Sequence, residues 1–173
     1  MAIQTQFDPE LVPDLFRGEF TSVVLDDPAI AGHVPNLVLD PRRPFTIHVS
    51  WKLTGTQVPL YMAALSDQWD VTAYAESIGP GPEVRLASGQ EPKANATIST
   101  VPTPNGAVPV YEWRHTLQVP AGLLPEEDPG GDPSGTYLSL VTVFLDSAIG
   151  QPTTTKVSPS LVGIAPQPRS GRT

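Results

Sequence analysis

The segment PFTIHVSWKLTG, residues 44–55, constrains the fold of this chain more than any other stretch. Large apolar side chains alternate with polar ones, which is the two-residue period of a strand with one buried face. Such a strand needs hydrogen-bonded neighbours and an apolar layer over its buried side. We therefore expect an antiparallel sheet packed against a second layer. The apolar positions are Phe45, Ile47, Val49, Trp51 and Leu53.

Similar runs recur along the chain, separated by turns rich in proline and glycine. The chain has 21 prolines and 14 glycines among its 173 residues, a usage typical of proteins that punctuate strands with proline. Helical periodicity is nearly absent, and single turns of helix are predicted only at 8–16 and 59–65. The pattern predicts an all-β fold of antiparallel strands, either a two-sheet sandwich or a barrel. Its strands are expected over residues 18–27, 36–40, 44–55, 68–77, 83–87, 95–100, 110–119, 135–146 and 153–165.

Two residues make the predicted type of β fold more specific. Trp69 stands on a middle strand, and SGTYLSLVTV, residues 134–143, opens a late strand at Tyr137. This arrangement resembles the tyrosine corner of immunoglobulin-like and fibronectin-III-like domains. The resemblance implies an immunoglobulin-like β-sandwich over residues 18–165, in which Trp69 and Tyr137 have structural roles. It also implies that the Tyr137 hydroxyl bonds back to an earlier part of the chain. A likeness of fold implies no activity.

An arm and a tail are predicted around this sandwich. Residues 166–173 are expected to form a flexible polar tail, and residues 1–17 an N-terminal arm. The arm either covers an edge of its own sheet or inserts into a neighbouring molecule, and the sequence leaves both open. Its apolar side chains are the predicted partner-binding residues, namely Phe7, Leu11, Val12, Leu15 and Phe16.

Composition argues against several kinds of function. The chain has no cysteine, which excludes disulfides, zinc–thiolate sites and a cysteine nucleophile. Its net charge of −8 disfavours binding to nucleic acid and to anionic membranes. No secretory signal or membrane-spanning segment is predicted, so we expect a cytoplasmic protein that could be carried within a larger particle.

Catalytic and cofactor motifs are not found in the sequence. His33, His48 and His115 lack the spacing of metal ligands, and no G-x-S-x-G elbow is present. The loop IGPGPE, residues 78–83, loses two backbone donors to its prolines, which indicates a turn rather than a phosphate cradle. We therefore expect no enzyme and no cofactor. A Ser–His–Asp triad assembled from distant loops is the enzymatic alternative that stays open.

Two binding alternatives also stay open. The acidic loop PEEDPGGDPSG, residues 125–135, is typical of calcium sites on β-sandwiches, although it lacks the regular D-x-D-x-D-G spacing. Its candidate ligands are Glu126, Glu127, Asp128 and Asp132. Exposed rings on a β-surface would suit a glycan, and the candidates are Tyr61, Tyr74 and Tyr111.

The predicted function is a non-enzymatic structural or binding module. The missing catalytic motifs and the apolar arm both favour docking on a partner protein or on further copies of the chain. Such a module would serve as a component of a multi-protein assembly, for example a phage-like particle. A carbohydrate-binding module and a calcium-dependent binding domain are the alternatives.

Overall fold

Strands dominate the part of the chain that the computed structural model describes, which is residues 4–8, 14–26, 38–78, 81, 83–124, 137–147, 160–165 and 169–170. One short helix, α1 (Val58–Ala64), precedes the fifth strand, and a 3-10 turn, Lys93–Asn95, precedes the seventh. In chain order the strands are β1 (Gln4–Asp8), β2 (Arg17–Asp26), β3 (Val38–Leu39), β4 (Phe45–Thr54), β5 (Leu65–Ser77), β6 (Val84–Pro92), β7 (Thr97–Thr103), β8 (Gly106–Val119), β9 (Tyr137–Ser147), β10 (Ser160–Ala165) and β11 (Arg169–Ser170).

Two large antiparallel sheets face each other. One has the strand order β1-β10-β9-β5-β6 and the other the order β2-β4-β8-β7. Strand β6 lies against β8, and β1 and β10 lie against β2, so the sheets form a sandwich. Within the predicted polar tail, β11 pairs in parallel with β3 as a separate small ribbon. The predicted all-β fold of two antiparallel sheets is confirmed.

The alternation in the sequence corresponds to the two faces of each sheet. All five apolar side chains predicted for the inner face of β4 are buried. On β5, Trp69, Val71, Ala73 and Ala75 are fully buried, whereas Tyr74 lies half-buried on the opposite face. Strand β9, predicted as a strand over 135–146, occupies the centre of its sheet.

Three tryptophans join the sheets. Trp51 on β4 pairs directly with Trp113 on β8, and their ring centroids are 6.1 Å apart. Trp69 reaches them from the other sheet, with its centroid 5.8 Å from Trp51 and 5.1 Å from Trp113. Edge-to-face and stacked contacts at these distances add to the free energy of burial. The Nε1 hydrogen of Trp113 is donated to the Lys93 carbonyl at 3.0 Å.

The start of the chain forms a strand that the sequence did not predict. Residues 4–8 form β1, which pairs with β10 at the edge of this chain's own sheet. The helical turn predicted for 8–16, with Asp8 as its cap and an end at Pro13, falls on residues 9–13, which lie outside the described residues, so it stays a prediction. Pairing with β10 satisfies the backbone groups of β1 that face this neighbour. The helical turn predicted at 59–65 is confirmed by α1.

The turn that precedes β2 packs closely against the residues that follow β4, and Gly55 lies at this contact. Thr56 and Gln57 donate their backbone N–H groups to the carbonyls of Asp14 and Leu15, at 3.1 and 2.9 Å. Gly55 has φ +136°, and a Cβ atom there would lie 2.3 Å from the Leu15 carbonyl oxygen. Both the dihedral angle and the close approach require glycine at this position.

We predict that Gly55→Ala lowers the free energy of unfolding by at least about 4 kcal/mol, because it combines backbone strain with a clash against backbone atoms. Gly106→Ala is the matched control, since Gly106 has φ +118° and open space where its Cβ would lie. Strain alone should cost about 1–2 kcal/mol there. Urea denaturation measures both values, and equal losses would contradict the role of the Leu15 contact.

A candidate protein-docking edge

Strand β7 overhangs the sandwich, meaning that it extends past the part of its sheet that packs against the other sheet. It is the outer strand of its sheet, and among the described elements its substantial contacts are with β8 alone. Six of its seven residues are exposed and the seventh is half-buried. The side chains of Ile98 and Val101 are 62% and 47% exposed. Both faces of β7 and one of its edges are therefore accessible to another molecule.

The direction of the unpaired backbone groups of β7 follows from Pro109. The Pro109 carbonyl accepts a hydrogen bond from the Gly55 N–H at 3.1 Å, so it points towards β4 and away from β7. Thr100 lies opposite Pro109. Because bonded and non-bonded pairs alternate in an antiparallel ladder, the backbone groups of Thr100 point outwards. The same holds two residues away, at Ile98 and Pro102.

The β7 edge, meaning the outward backbone groups of Ile98, Thr100 and Pro102, thus offers two N–H donors and three carbonyl acceptors. Pro102 contributes no donor, because proline has no N–H. Such a row of unpaired groups is a template for another strand.

Strand β7 also lacks the charges by which sheet edges usually resist pairing. Its sequence, TISTVPT, contains no charged residue. The other outer strands of the two large sheets do contain charged residues: β1 ends at Asp8, β2 contains Arg17 and Glu19, and β6 contains Arg85. Charged side chains on an outer strand oppose edge-to-edge association. Pro102 is therefore the main feature of β7 itself that limits pairing.

Both ends of β7 are held in place. At its tip, the Asn105 side chain donates to the Asp14 carboxylate at 3.0 Å, and the Thr103 hydroxyl donates to the Gly106 carbonyl at 2.7 Å. The strand begins just after the 3-10 turn, which the buried Trp113 contacts through the Lys93 carbonyl. The β7 edge is thus exposed and preorganised, which lowers the entropy cost of binding.

A polar clasp holds the 3-10 turn against the sandwich, and it consists of Glu91, Lys93, Asn95 and His115. The His115 Nδ1 and Glu91 Oε2 atoms are 2.9 Å apart, and the Asn95 amide donates to Glu91 Oε1 at 2.8 Å. The Lys93 ammonium donates to the carbonyls of Met62 and Leu65. The clasp connects β6 with β8, which belong to different sheets, through Glu91 and His115. The two bonds from Lys93 attach the turn to the end of α1 and the start of β5.

A cleft of about 400 Å³ opens beside the start of β7. Its wall includes Met62, Lys93, Ala96, Ile98 and Tyr111. Ile98 therefore belongs both to the cleft and to the β7 edge. A strand added along this edge would place side chains over the cleft, and such pockets give strand-binding proteins their side-chain specificity.

The predicted arm residues lie in different environments. Phe16 is fully buried and stacks on Tyr61, with centroids 4.2 Å apart, and Phe7 is half-buried against it. Leu15 is 40% exposed and lines a hollow of about 550 Å³ beside α1, together with Leu60. Leu11 and Val12 lie outside the described residues. The partner-binding role of these five residues stays a prediction.

The other candidate residues are dispersed. Trp69 and Tyr137 are fully buried, and burial raises the pKa of the Tyr137 phenol. His48 lies on the outer face of β4, His115 belongs to the clasp, and His33 lies outside the described residues. Tyr61, Tyr74 and Tyr111 are half-buried, on α1, β5 and β8.

The acidic loop residues Glu126, Glu127, Asp128 and Asp132 lie outside the described residues. In the part that is described, no group of three or more His, Cys, Asp or Glu residues could hold a metal ion. The calcium alternative stays a prediction. No described helix is long and apolar enough to cross a membrane.

Reasoning from sequence missed the β7 edge. The pattern predicts a short strand at 95–100, but it does not show whether that strand is central or outer. Strand order depends on contacts between residues that are distant in the sequence. One local signal was present, namely a run with strand-like composition and no charge between Lys93 and Glu112.

Comparison with known proteins gives little further information. No protein-family model and no curated protein match the chain. Among solved structures, two crystal forms of a bacterial adhesin from Mobiluncus mulieris are similar, with TM-scores of 0.34 and 0.36 and identities of 11% and 12%. That adhesin contains intramolecular disulfide, isopeptide and ester bond cross-links. The similarity covers 84% of this chain and 48% of the adhesin chain, so this chain spans about half of the adhesin's length.

We predict that the Glu91–His115 pair contributes more to stability than a surface ion pair. Its side chains are 11% and 16% exposed, whereas those of the Lys52–Glu19 pair are 33% and 34% exposed. A double-mutant cycle with alanine should give a coupling energy of about 1–3 kcal/mol for the clasp pair. The surface pair, which is screened by solvent, should give less than about 1 kcal/mol. Equal coupling energies, measured by urea denaturation, would contradict a special role for the clasp.

Proposed function

We propose that this chain is a non-enzymatic binding module that docks on protein by accepting an additional β-strand at the β7 edge. The observation that carries the proposal is an uncharged outer strand, held by hydrogen bonds at its tip and at the turn before it, whose outer donors and acceptors face outwards. Backbone hydrogen bonds would supply affinity, and the cleft would select a side chain of the added strand. The occupant is an extended, uncharged segment with an apolar residue at the position that faces the cleft.

The composition of the cleft supports an apolar side chain. Apolar groups of Met62, Ala96, Ile98 and Tyr111 line the cleft. Its polar lining includes Asp67, Gln68 and Lys93, and the Lys93 ammonium donates to two backbone carbonyls and lies 3.5 Å from the Asp67 carboxylate. An acidic side chain would lose water there and face the Asp67 carboxylate, which costs free energy. An aliphatic side chain would instead cover the exposed part of Ile98.

The immunoglobulin-like assignment is part of this proposal. Tyr137 lies fully buried at the first residue of β9, which is where a tyrosine corner would place it. The arm, the sandwich and the tail remain the proposed divisions of the chain. Membership of a multi-protein assembly, inside a cell or on a particle, is the setting in which a strand-accepting module would act.

Selection of short random peptides displayed on phage, carried out on the wild-type protein alone, tests the proposal, and the Thr100→Pro protein is then compared in binding measurements. Proline at position 100 removes one outward donor and leaves the pairing with β8 intact, because Thr100 and Pro109 share no backbone hydrogen bond. Thr100→Ala is the matched control, since it changes the side chain and keeps the N–H. We expect selected peptides to bind Thr100→Pro about tenfold more weakly than wild type. Binding to Thr100→Ala should stay within about twofold.

Fluorescence polarisation of a labelled selected peptide gives the three affinities. Equal binding to wild type and Thr100→Pro would contradict docking at the β7 edge. If binding were lost instead in Leu60→Glu, the docking surface would be the hollow beside α1, where Leu60 is 65% exposed. Thermal melting of each variant verifies that it is folded.

A further inference from the structure

We infer that the β7 edge also pairs with the β7 edge of a second copy of this chain, in antiparallel register about a two-fold axis at Ser99. The inference rests on the proposed function, because it names one strand that the edge accepts. The pairing would join two four-stranded sheets into one continuous sheet of eight strands across the dimer. Interfaces of this kind are isologous, since the same patch serves on both partners.

The positions of the donors favour this register. With Ser99 on the axis, Ile98 of each copy lies opposite Thr100 of the other. Both residues have outward backbone groups, so each of these two pairs exchanges two hydrogen bonds. All the N–H donors of both edges are then used. Pro102, which has no donor, falls outside the paired residues.

Charge favours a second copy at this strand and disfavours it elsewhere. Two copies that each carry a net charge of −8 repel one another, so close contact requires a neutral segment. An isologous pairing places a strand against itself, and like charges would then face each other across the axis. Strand β7 has no charged residue, whereas β1, β2 and β6 do.

The overhang leaves space for the second copy. Strand β6 packs over β8, and it has no comparable contact with β7. In the paired sheet, β8 and its symmetry mate would be three strand spacings apart, about 14 Å. The two five-stranded sheets would therefore not collide over the new pair. Ile98 of each copy would approach the other across the cleft and lose part of its 62% exposure.

The interface is small, so the association should be weak. Two short strands bury less than the roughly 1,200 Å² of a stable interface, which places the dimer among transient contacts. We expect half-association of the pure protein at about 0.1–1 mM by sedimentation equilibrium. Thr100→Pro should weaken it by about tenfold or more, because the substitution removes a donor from both copies.

Cysteine cross-linking tests the register, because the natural chain contains no cysteine. Ser99→Cys would place two thiols on a non-hydrogen-bonded pair, where Cα atoms are about 4.5 Å apart and a disulfide fits. Thr97→Cys is the matched control: it is exposed on the same face of β7, and in this register its mate lies about 13 Å away. With oxidised glutathione as the oxidant, we expect about tenfold more disulfide dimer from Ser99→Cys than from Thr97→Cys. Adding Thr100→Pro to Ser99→Cys should reduce its yield to that of the control.

Equal yields from the two cysteine variants would overturn the inference, because cross-linking would then reflect random collision. A wild-type protein that stays monomeric at about 1 mM would also overturn it. These results leave the proposed function separately testable: peptides that bind wild type but not Thr100→Pro would show strand addition without self-pairing. Failure of the peptide selection together with a monomeric protein would contradict both.

Discussion

The contact among Trp51, Trp69 and Trp113 is the interaction on which the rest of the structure depends. Two of the rings belong to one sheet and the third to the other, so their packing fixes the distance and relative position of the sheets. Direct pairing of Trp51 with Trp113 also sets the register of β4 against β8, because a shift of one residue would turn every apolar side chain of β4 outwards.

The same contact determines what is exposed. Trp113 donates to the Lys93 carbonyl, and the polar clasp holds the rest of the 3-10 turn, so the chain leaves β6 and enters β7 at a fixed point. Strand β7 then continues on the far side of β8, where none of the described strands of the other sheet packs substantially against it. An exposed strand with a firmly held beginning and tip follows from packing inside the core.

The sequence predicted what repeats locally and missed what depends on distant pairing. Alternation alone identified β4, β5 and the face of Trp69, because a two-residue period is a property of the strand itself. Strand β1 was not predicted, because its sequence QTQFD has no clear alternation and its conformation depends on pairing with β10. The β7 edge was missed for the same reason: whether a strand is central or outer depends on strand order, which no local pattern records.

An uncharged outer strand presents both an opportunity and a risk. The outward backbone groups of Ile98 and Thr100 could form hydrogen bonds with almost any extended chain, so specificity must come from other contacts. Pro102 limits the paired length by removing one donor, and the cleft beside Ile98 restricts which side chains fit. A charge placed on β7 would suppress unwanted pairing, but it would also oppose a neutral partner strand and a second copy. Keeping the strand neutral, short and firmly held is therefore the arrangement that best reconciles binding with resistance to aggregation.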